Sequence, residues 1–430
     1  MSIVLRGGRV VDSGGESVVD VEIGDDGQIA AVGTGLVGDE DLDCAGCVVA
    51  PGLVDLHAHL RQPGDEEAET IETGARAGAL GGYTALVAMP NTEPTTDCVA
   101  VVEQVRALGE PAACEIVPSA AMTVGRRGHQ MTPMGELVDA GVGMFTDDGT
   151  GVQDPQVMRR LMEYSTGLTD RLGHPVVLAQ HCEVTALSEG GYMHEGAWSS
   201  RLGIGGQPAE AEELMVMRDI TLARMTGARI HFQHLSTGVS VAMVREAKAT
   251  GLPVTAEATT HHFTLTDAAC ACYDPVFKVH PPLRTDADVA AVRAGLADGT
   301  IDAIATDHAP HTVHAKERPF DQAPPGMLGL ETALSLALEY SGLDLSGVLA
   351  ALSWRPAAIA GLADRHGGPV RPSRPANLCV FDPDATWTVS GRAMASRSAN
   401  TPYEGWSLRG RVRHTLNRGV PVVVDGEARR

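Results

Sequence analysis

Short runs dominated by Val, Ile and Ala recur through the middle of the chain, several ending in polar or Gly/Pro residues and most followed by a stretch of helical composition. Such runs predict buried parallel strands, each leading into a crossover helix. They fall at Gly52 to His57, Tyr83 to Met89, Glu115 to Ala120, Val142 to Phe145, Pro175 to Gln180, Arg229 to Gln233, Pro253 to Glu257 and Ile301 to Thr306. Between them, Glu69 to Leu80, Val99 to Leu108, Gln156 to Thr166, Ala209 to Met225 and Val239 to Ala249 carry Ala, Glu, Arg and Leu in helical patterns. Eight alternations predict an α/β fold closed into a (β/α)8 barrel of the TIM type.

The two ends read differently. Met1 to Ala50 alternates apolar and polar residues around the turns Arg6-Gly7-Gly8 and Asp25-Asp26-Gly27, and Asn377 to Asp382 and Arg411 to Asp425 do the same. The economical arrangement is a small β-sandwich built from residues 1–50 and 361–430, with the barrel of residues 51–360 inserted between its halves.

Composition narrows the function. The chain has 430 residues, 43% of them apolar, yet no window approaches the ~18 uninterrupted apolar residues of a membrane span. No basic segment followed by an apolar run and a cleavage site opens the sequence, so a cytoplasmic location is expected. A net charge of −22 argues against nucleic acid or anionic membrane as partner, because both reward clustered Lys and Arg. The eight cysteines are expected to be free thiols. Cys44 and Cys47 form a C-x-x-C without a second metal-binding pair, so they read as small buried residues, as do Cys270 and Cys272. Lysine occurs only at 248, 278 and 316.

The chemistry begins at Asp55-Leu56-His57-Ala58-His59-Leu60-Arg61, at the end of the first predicted strand. Residues two apart on a strand share a side, so His57 and His59 can face the barrel mouth and bind one cation, with Asp55 available to orient a ring. His181, His234 and Asp307 end three later strands in the same way. Active sites of such barrels lie at these strand ends, and four strands there deliver metal-ligand residue types to one face.

This pattern resembles the amidohydrolase superfamily, and within it the class I, bacterial type of the dihydroorotase family. The likeness rests on Asp55 to Pro63 and on Ala305-Thr306-Asp307-His308-Ala309-Pro310-His311 with Lys316. Also similar are Gly82-Tyr83-Thr84, Met89-Pro90-Asn91-Thr92, Phe145-Thr146-Asp147-Asp148-Gly149, Pro281-Pro282-Leu283-Arg284 and Asn400-Thr401-Pro402. Hydantoinases, allantoinases and many dihydroorotases bridge two metals with a carboxylated lysine placed before the third ligand histidine. Here no lysine precedes Lys248, so a carboxylate must take that place. The resemblance selects Asp148, with Asp147 as the fallback.

What the resemblance implies is zinc-dependent, reversible cyclisation of N-carbamoyl-L-aspartate to L-dihydroorotate in pyrimidine biosynthesis. It implies one or two zinc ions: His57, His59 and Asp307 on one, His181 and His234 on the other, with Asp148 bridging. Asp307 is the implied proton carrier. Arg61, two residues beyond His59, offers a bidentate fork to the substrate carboxylate. Asn91 and His311 join it, His59 lies against the substrate, and the backbone of Pro325 and Gly326 meets the ring. His280 stands where the family commonly has Asn, and Pro325 where an aromatic is frequent. His261 and His262 match a family pair without a ligand role, and His308 is expected behind the ligands. A homodimer, possibly joined to aspartate carbamoyltransferase, is the implied assembly. The Gly- and Pro-rich stretch from His311 to Gly329 reads as a lid. The alternatives are an allantoinase or hydantoinase, and a noncatalytic subunit that scaffolds the transferase.

Overall fold

The computed structural model describes residues 2–429. Eight parallel strands form the barrel: Leu53–Ala58, Tyr83–Ala88, Glu115–Pro118, Met144–Phe145, Val177–Gln180, Ile230–Phe232, Val254–Thr259 and Ala303–Ala305. They pair in chain order as a group of three and a group of five. Parallel bridges from Ala120 to Phe145 and from Ala58 to His308 close the ring. Leu56, Val87, Met144, Val177 and Ala303 come from five of the strands and form one apolar cluster inside the barrel, against which Ile359 packs.

Several strands stop short of the runs read from the sequence because the terminal polar residues leave the sheet. His234 and Asp307 follow the sixth and eighth strands at φ 33 and φ 45, a region that non-glycine residues enter at a cost of about 1–3 kcal/mol each. Their directions are therefore set by tight left-handed turns rather than by strand alternation.

The surrounding helices start and stop where the local chemistry dictates. Thr70 caps Ile71–Leu80 by accepting the N–H of Thr73. Asp154 caps Pro155–Thr166 through Gln156 and Val157, with Pro155 in the first turn. Glu210–Thr226 ends on Gly227 at φ 74, where a Cβ would be strained. The loop after the fifth strand adds a short parallel pair, Met193–His194 with Gly206–Gln207, which the sequence pattern does not announce.

Both chain ends contribute to one nine-stranded sheet. Leu378–Thr388 runs antiparallel to Val48–Pro51, with Leu378 opposite Pro51 and Phe381 opposite Val48. Ile3–Asp12 pairs with Gly15–Ile23, Glu40–Asp43 and Val48–Pro51. The sheet thereby folds over a shared core of Leu5, Val21, Ile23, Val49, Leu378, Val380 and Leu416 as a β-sandwich. All eight cysteines are free. Cys44 and Cys47 lie in the sandwich core, whereas Cys272, expected to be buried, is exposed at the end of a 3-10 turn. Among the described residues no helix is long and apolar enough to cross a membrane.

Candidate metal centre and active site

Four imidazoles converge on one carboxylate at the C-terminal mouth of the barrel. Asp148 Oδ1 lies 3.3 Å from His57 Nε2 and 3.6 Å from both His181 Nδ1 and His234 Nε2, while its Oδ2 lies 3.5 Å from His59 Nε2. Asp307 Oδ1 approaches from the opposite side, 3.1 Å from His59 Nε2 and 3.5 Å from His57 Nε2. Two sets have donor atoms close enough to share a cation: His57, His59 and Asp307, and His57, Asp148 and His234. His181 Nδ1 adjoins the second set, 2.9 Å from His234 Nε2. Asp147 is not part of this cluster, because its carboxylate accepts the N–H and hydroxyl of Thr123.

The donor set fits a metal ion. His57 Nε2, which faces Asp148 and Asp307, is buried without any hydrogen-bond partner, a state that costs about 1–3 kcal/mol unless something occupies it. Burial opposes charge on Asp148 and Asp307, yet the facing histidines outweigh it and hold both carboxyls below their usual range. Burial likewise opposes charge on His57 and His181, but Asp148, with Asp307 for the first and Glu183 for the second, drives both upward, His181 to about 9. The carboxylates thus demand positive charge at the centre, which a cation supplies.

The ring-orienting groups differ from the sequence expectation. Asp55 does not touch an imidazole ring: it accepts the N–H groups of His57 and Thr306, at 3.3 and 3.0 Å, and the Thr306 hydroxyl at 2.5 Å, locking the first strand to the eighth. The group facing His57 Nδ1 is Glu257, at 2.9 Å from the seventh strand. His59 Nδ1 faces Asn91 Oδ1 at 2.9 Å. Glu183 Oε2 lies 3.6 Å from His181 Nε2 and is itself bonded by Ser188. Neither Glu257 nor Glu183 was singled out from the sequence. The available signal for Glu257 was a lone acid inside the otherwise small and uncharged strand Val254–Thr259.

A cavity of about 170 Å³ opens over the cluster, lined by His59, Arg61, Asn91, Asp148, His181, His234, His280, Asp307, His311, Pro325 and Gly326. Arg61 reaches it from a turn at φ 60 beyond the end of the first strand, so its position, too, does not follow from strand alternation. Its Nε donates to Pro310 O at 3.2 Å, and Nη2 lies 3.4 Å from His311 Nε2. Because His311 Nε2 donates its hydrogen to Pro325 O at 2.8 Å, the guanidinium gains little there and keeps N–H groups for a ligand. Burial, reinforced by Arg61, keeps His311 neutral down to about 3. The polar groups of Pro325 and Gly326 are spoken for. Pro325 O takes His311, Gly326 O takes Lys316 and Asn400, and Gly326 N–H goes to Lys278 O.

His280 has a defined tautomer. Gln207 Nε2 donates to Gly191 O at 3.0 Å and to His280 Nε2 at 2.9 Å, so that ring nitrogen accepts and Nδ1 carries the hydrogen. Burial lowers its pKa to about 4. His261 and His262 lie behind the cluster. His262 Nδ1 pairs with Thr259 Oγ1 at 2.7 Å and His262 Nε2 with Pro281 O at 3.0 Å. His261 Nε2 has no partner. His308 faces Glu69 at 3.3 Å, and its backbone oxygen accepts the N–H of His59. The stretch from His311 to Gly329 contains one short helix, Val313–Lys316, and is held from inside by lysine. Lys316 Nζ donates to Pro324 O and Gly326 O, and Lys278 Nζ to Phe320 O, Asp321 O and Ala323 O.

Comparison with known proteins bears on the family and the fold. A family model described as dihydro-orotase-like matches residues 46–240. Proteins named dihydroorotase from Mycobacterium bovis and Streptomyces coelicolor are similar over their whole length. The first is 47% identical, covering 100% of each chain, and the second 48% identical, covering 99% of each. Among solved structures, an L-hydantoinase (dihydropyrimidinase) from Arthrobacter aurescens superposes with a TM-score of 0.88 at 23% identity, covering 99% of this chain and 97% of that one. A dihydropyrimidinase from Brevibacillus agri gives 0.84 at 21% identity, covering 100% and 96%. The structural likeness speaks for the shared fold, a barrel with a β-sandwich.

Proposed function

The chain belongs to the dihydroorotase family, and on that premise we propose that the cluster around Asp148 is the zinc centre at which it opens and closes the ring of L-dihydroorotate. The reaction is the reversible cyclisation of N-carbamoyl-L-aspartate in pyrimidine biosynthesis, a hydrolase reaction on a cyclic amide. The observation that carries the site assignment is one buried carboxylate facing four imidazoles in a chain without a lysine before Lys248. Lys248 itself is engaged with Asp302 at 2.5 Å.

His57, His59 and Asp307 would hold one ion, His181 and His234 a second, and Asp148 would lie between them. Zinc supplies a water nucleophile at neutral pH and polarises the carbonyl under attack. The remaining work falls to side chains. Asp307 takes the proton of the attacking water and returns it to the ring nitrogen as the amide opens; ring closure reverses both transfers. Arg61 receives the substrate carboxylate through its free N–H groups, and Asn91 and His311 complete that wall. His280 Nδ1–H donates to a ring carbonyl, one hydrogen bond where an amide side chain offers two kinds. Pro325 and Gly326 confine the ring by contact, since their polar backbone groups are already bonded.

Metal analysis of the purified protein together with dihydroorotate hydrolysis tests this reading. Zinc should co-purify, a chelator should abolish turnover and added zinc should restore it, while allantoin and dihydrouracil remain unhydrolysed. Asp307→Asn should be inactive; near-normal rates in that variant rule out its assignment. The same reading extends to an intracellular homodimer able to associate with aspartate carbamoyltransferase. Sedimentation of the chain alone and with the transferase would check both associations.

A further inference from the structure

Behind the metal centre a line of buried polar side chains runs back through the barrel wall. His57 Nδ1 is 2.9 Å from Glu257 Oε1, Glu257 Oε2 is 3.1 Å from His231 Nε2, and His231 Nδ1 is 2.9 Å from Thr255 Oγ1. His57, Glu257 and His231 are wholly buried. Thr255 lines a separate cavity of about 630 Å³ that also exposes Pro175, Arg229 and Pro253, at the N-terminal ends of the strands. The sixth and seventh barrel strands and the first are thus tied into a chain that starts at the catalytic mouth and ends at the opposite one. Buried polar groups are costly unless paired, and apolar side chains of similar volume often replace a buried polar pair without loss of stability, so packing alone gives this chain no use.

The polarity of the chain follows from its chemistry. An ionised carboxylate only accepts, so both imidazoles must turn an N–H toward Glu257. Each carboxylate oxygen faces one ring nitrogen, Oε1 that of His57 at 2.9 Å and Oε2 that of His231 at 3.1 Å. Gln233 cannot substitute: its Nε2 brings a second donor to within 3.3 Å of His57 Nδ1, and its Oε1 already accepts the Thr146 hydroxyl. With Nδ1 turned to Glu257, Nε2 is the one nitrogen of His57 left to offer a lone pair to a cation at the centre, and it has no hydrogen-bond partner there. On the other branch, Glu257 calls for an N–H at His231 Nε2, and the Thr255 hydroxyl can then donate to Nδ1, which supports the tautomer that the carboxylate selects.

We propose that Glu257, His231 and Thr255 are positioning residues that fix the tautomer and rotation of His57, and thereby set the metal affinity of the centre from the far end of the barrel. The proposal rests on the zinc-centre reading above. None of the three touches substrate; each acts through its neighbour. Carboxylates that orient a metal-bound histidine typically govern metal affinity by about 10- to 100-fold, and here the orienting carboxylate is itself oriented by a second imidazole and a hydroxyl.

The experiment is zinc titration of the full chain against a chromophoric chelator, with turnover measured separately at saturating zinc. Wild type must bind zinc with His57-dependent affinity; if it does not, the zinc-centre reading fails and the present one with it. Given that binding, Glu257→Gln should weaken zinc by about 10- to 100-fold, because its amide N–H must face one of two imidazole N–H groups. Thr255→Val, which is nearly isosteric and removes only the hydroxyl, should weaken zinc by about fivefold, the worth of one hydrogen bond. His231→Gln, which can still donate to Glu257, should retain more affinity than His231→Leu. Turnover at saturating zinc should recover most of its loss in Thr255→Val and His231→Gln. If Glu257→Gln does not fold, the Thr255→Val titration and selective nitrogen-15 histidine NMR of the zinc-loaded wild type decide. His231 must carry its proton on Nε2. Zinc affinities of Thr255→Val equal to wild type, or a bare Nε2 on His231, overturn the proposal.

Discussion

Replacing Arg61 by Met removes the positive charge of a guanidinium that faces the cavity while leaving a side chain of similar length. Among the residues that line the cavity, Arg61 is the one Arg or Lys, beside the carboxylates of Asp148 and Asp307. Neither nearby lysine can compensate, because Lys278 and Lys316 spend their ammonium hydrogens on the carbonyls of residues 320–326. Arg61 itself is largely withdrawn from water, and burial lowers its pKa, so a carboxylate bound to it is a desolvated, charge-assisted pair. Truncating one partner of such a pair costs roughly 2–5 kcal/mol, which is about 30- to 4,000-fold in binding. The expected outcome is a rise of at least about 30-fold in the Michaelis constant for dihydroorotate with zinc content unchanged. Arg61→Lys should recover only part of it, since a point charge replaces a fork. Steady-state hydrolysis across a substrate series gives the number, and succinate inhibition, read in parallel, should weaken by a similar factor. An unchanged Michaelis constant in Arg61→Met would show that the carboxylate binds elsewhere.

Acid stability offers an independent check at the other end of the barrel. Burial works against the charge of Glu115, but His366 and Arg365 outweigh it and lower its pKa from 4.5 to about 2. A depressed carboxylate contributes stability that is fully present above pH 4.5 and is lost as pH falls toward 2. That shift corresponds to about 3 kcal/mol at most. About 2 kcal/mol is expected after allowing for the exposure of Arg365 and Arg418. Urea unfolding of Glu115→Gln should show that loss near neutral pH and a flatter acid limb than wild type; parallel limbs would contradict it. At the substrate wall, Gln207→Leu frees His280 to exchange tautomers. It should raise the Michaelis constant about fivefold, one hydrogen bond's worth, with zinc content unaltered in metal analysis.

Much of this architecture is written in local pattern. Apolar runs of four to seven residues alternating with helical stretches are the direct signature of a βα barrel, and the structure places strands at all eight. His57, His59, Asp148, His181, His234 and Asp307 meet at one centre because each stands at or just past the end of its strand. What was not legible depends on contacts across the barrel. Asp55 looked like a ring-orienting partner from its spacing to His57, yet the ring it was assigned turns to Glu257, 200 residues away. Gln207 carries no motif; its effect on His280 comes from a two-residue strand pairing that no periodicity reveals. Arg61 reached the cavity as expected, but by a left-handed turn that alternation does not describe.

The scarcity of lysine makes the protein its own reporter of motion. Lys248 is tied to Asp302, and the other two lysines hold the loop over the cavity by its carbonyls. Burial, assisted by Lys278, brings the Lys316 amine down to about 7, so near neutrality a substantial fraction is nucleophilic yet sheltered. Acylation of Lys316, resolved by mass spectrometry of a single peptide, should therefore report any release of the loop from its lysine tether. Slowing of that one modification by bound substrate would turn an ordinary amine reagent into a gauge of how the cavity closes.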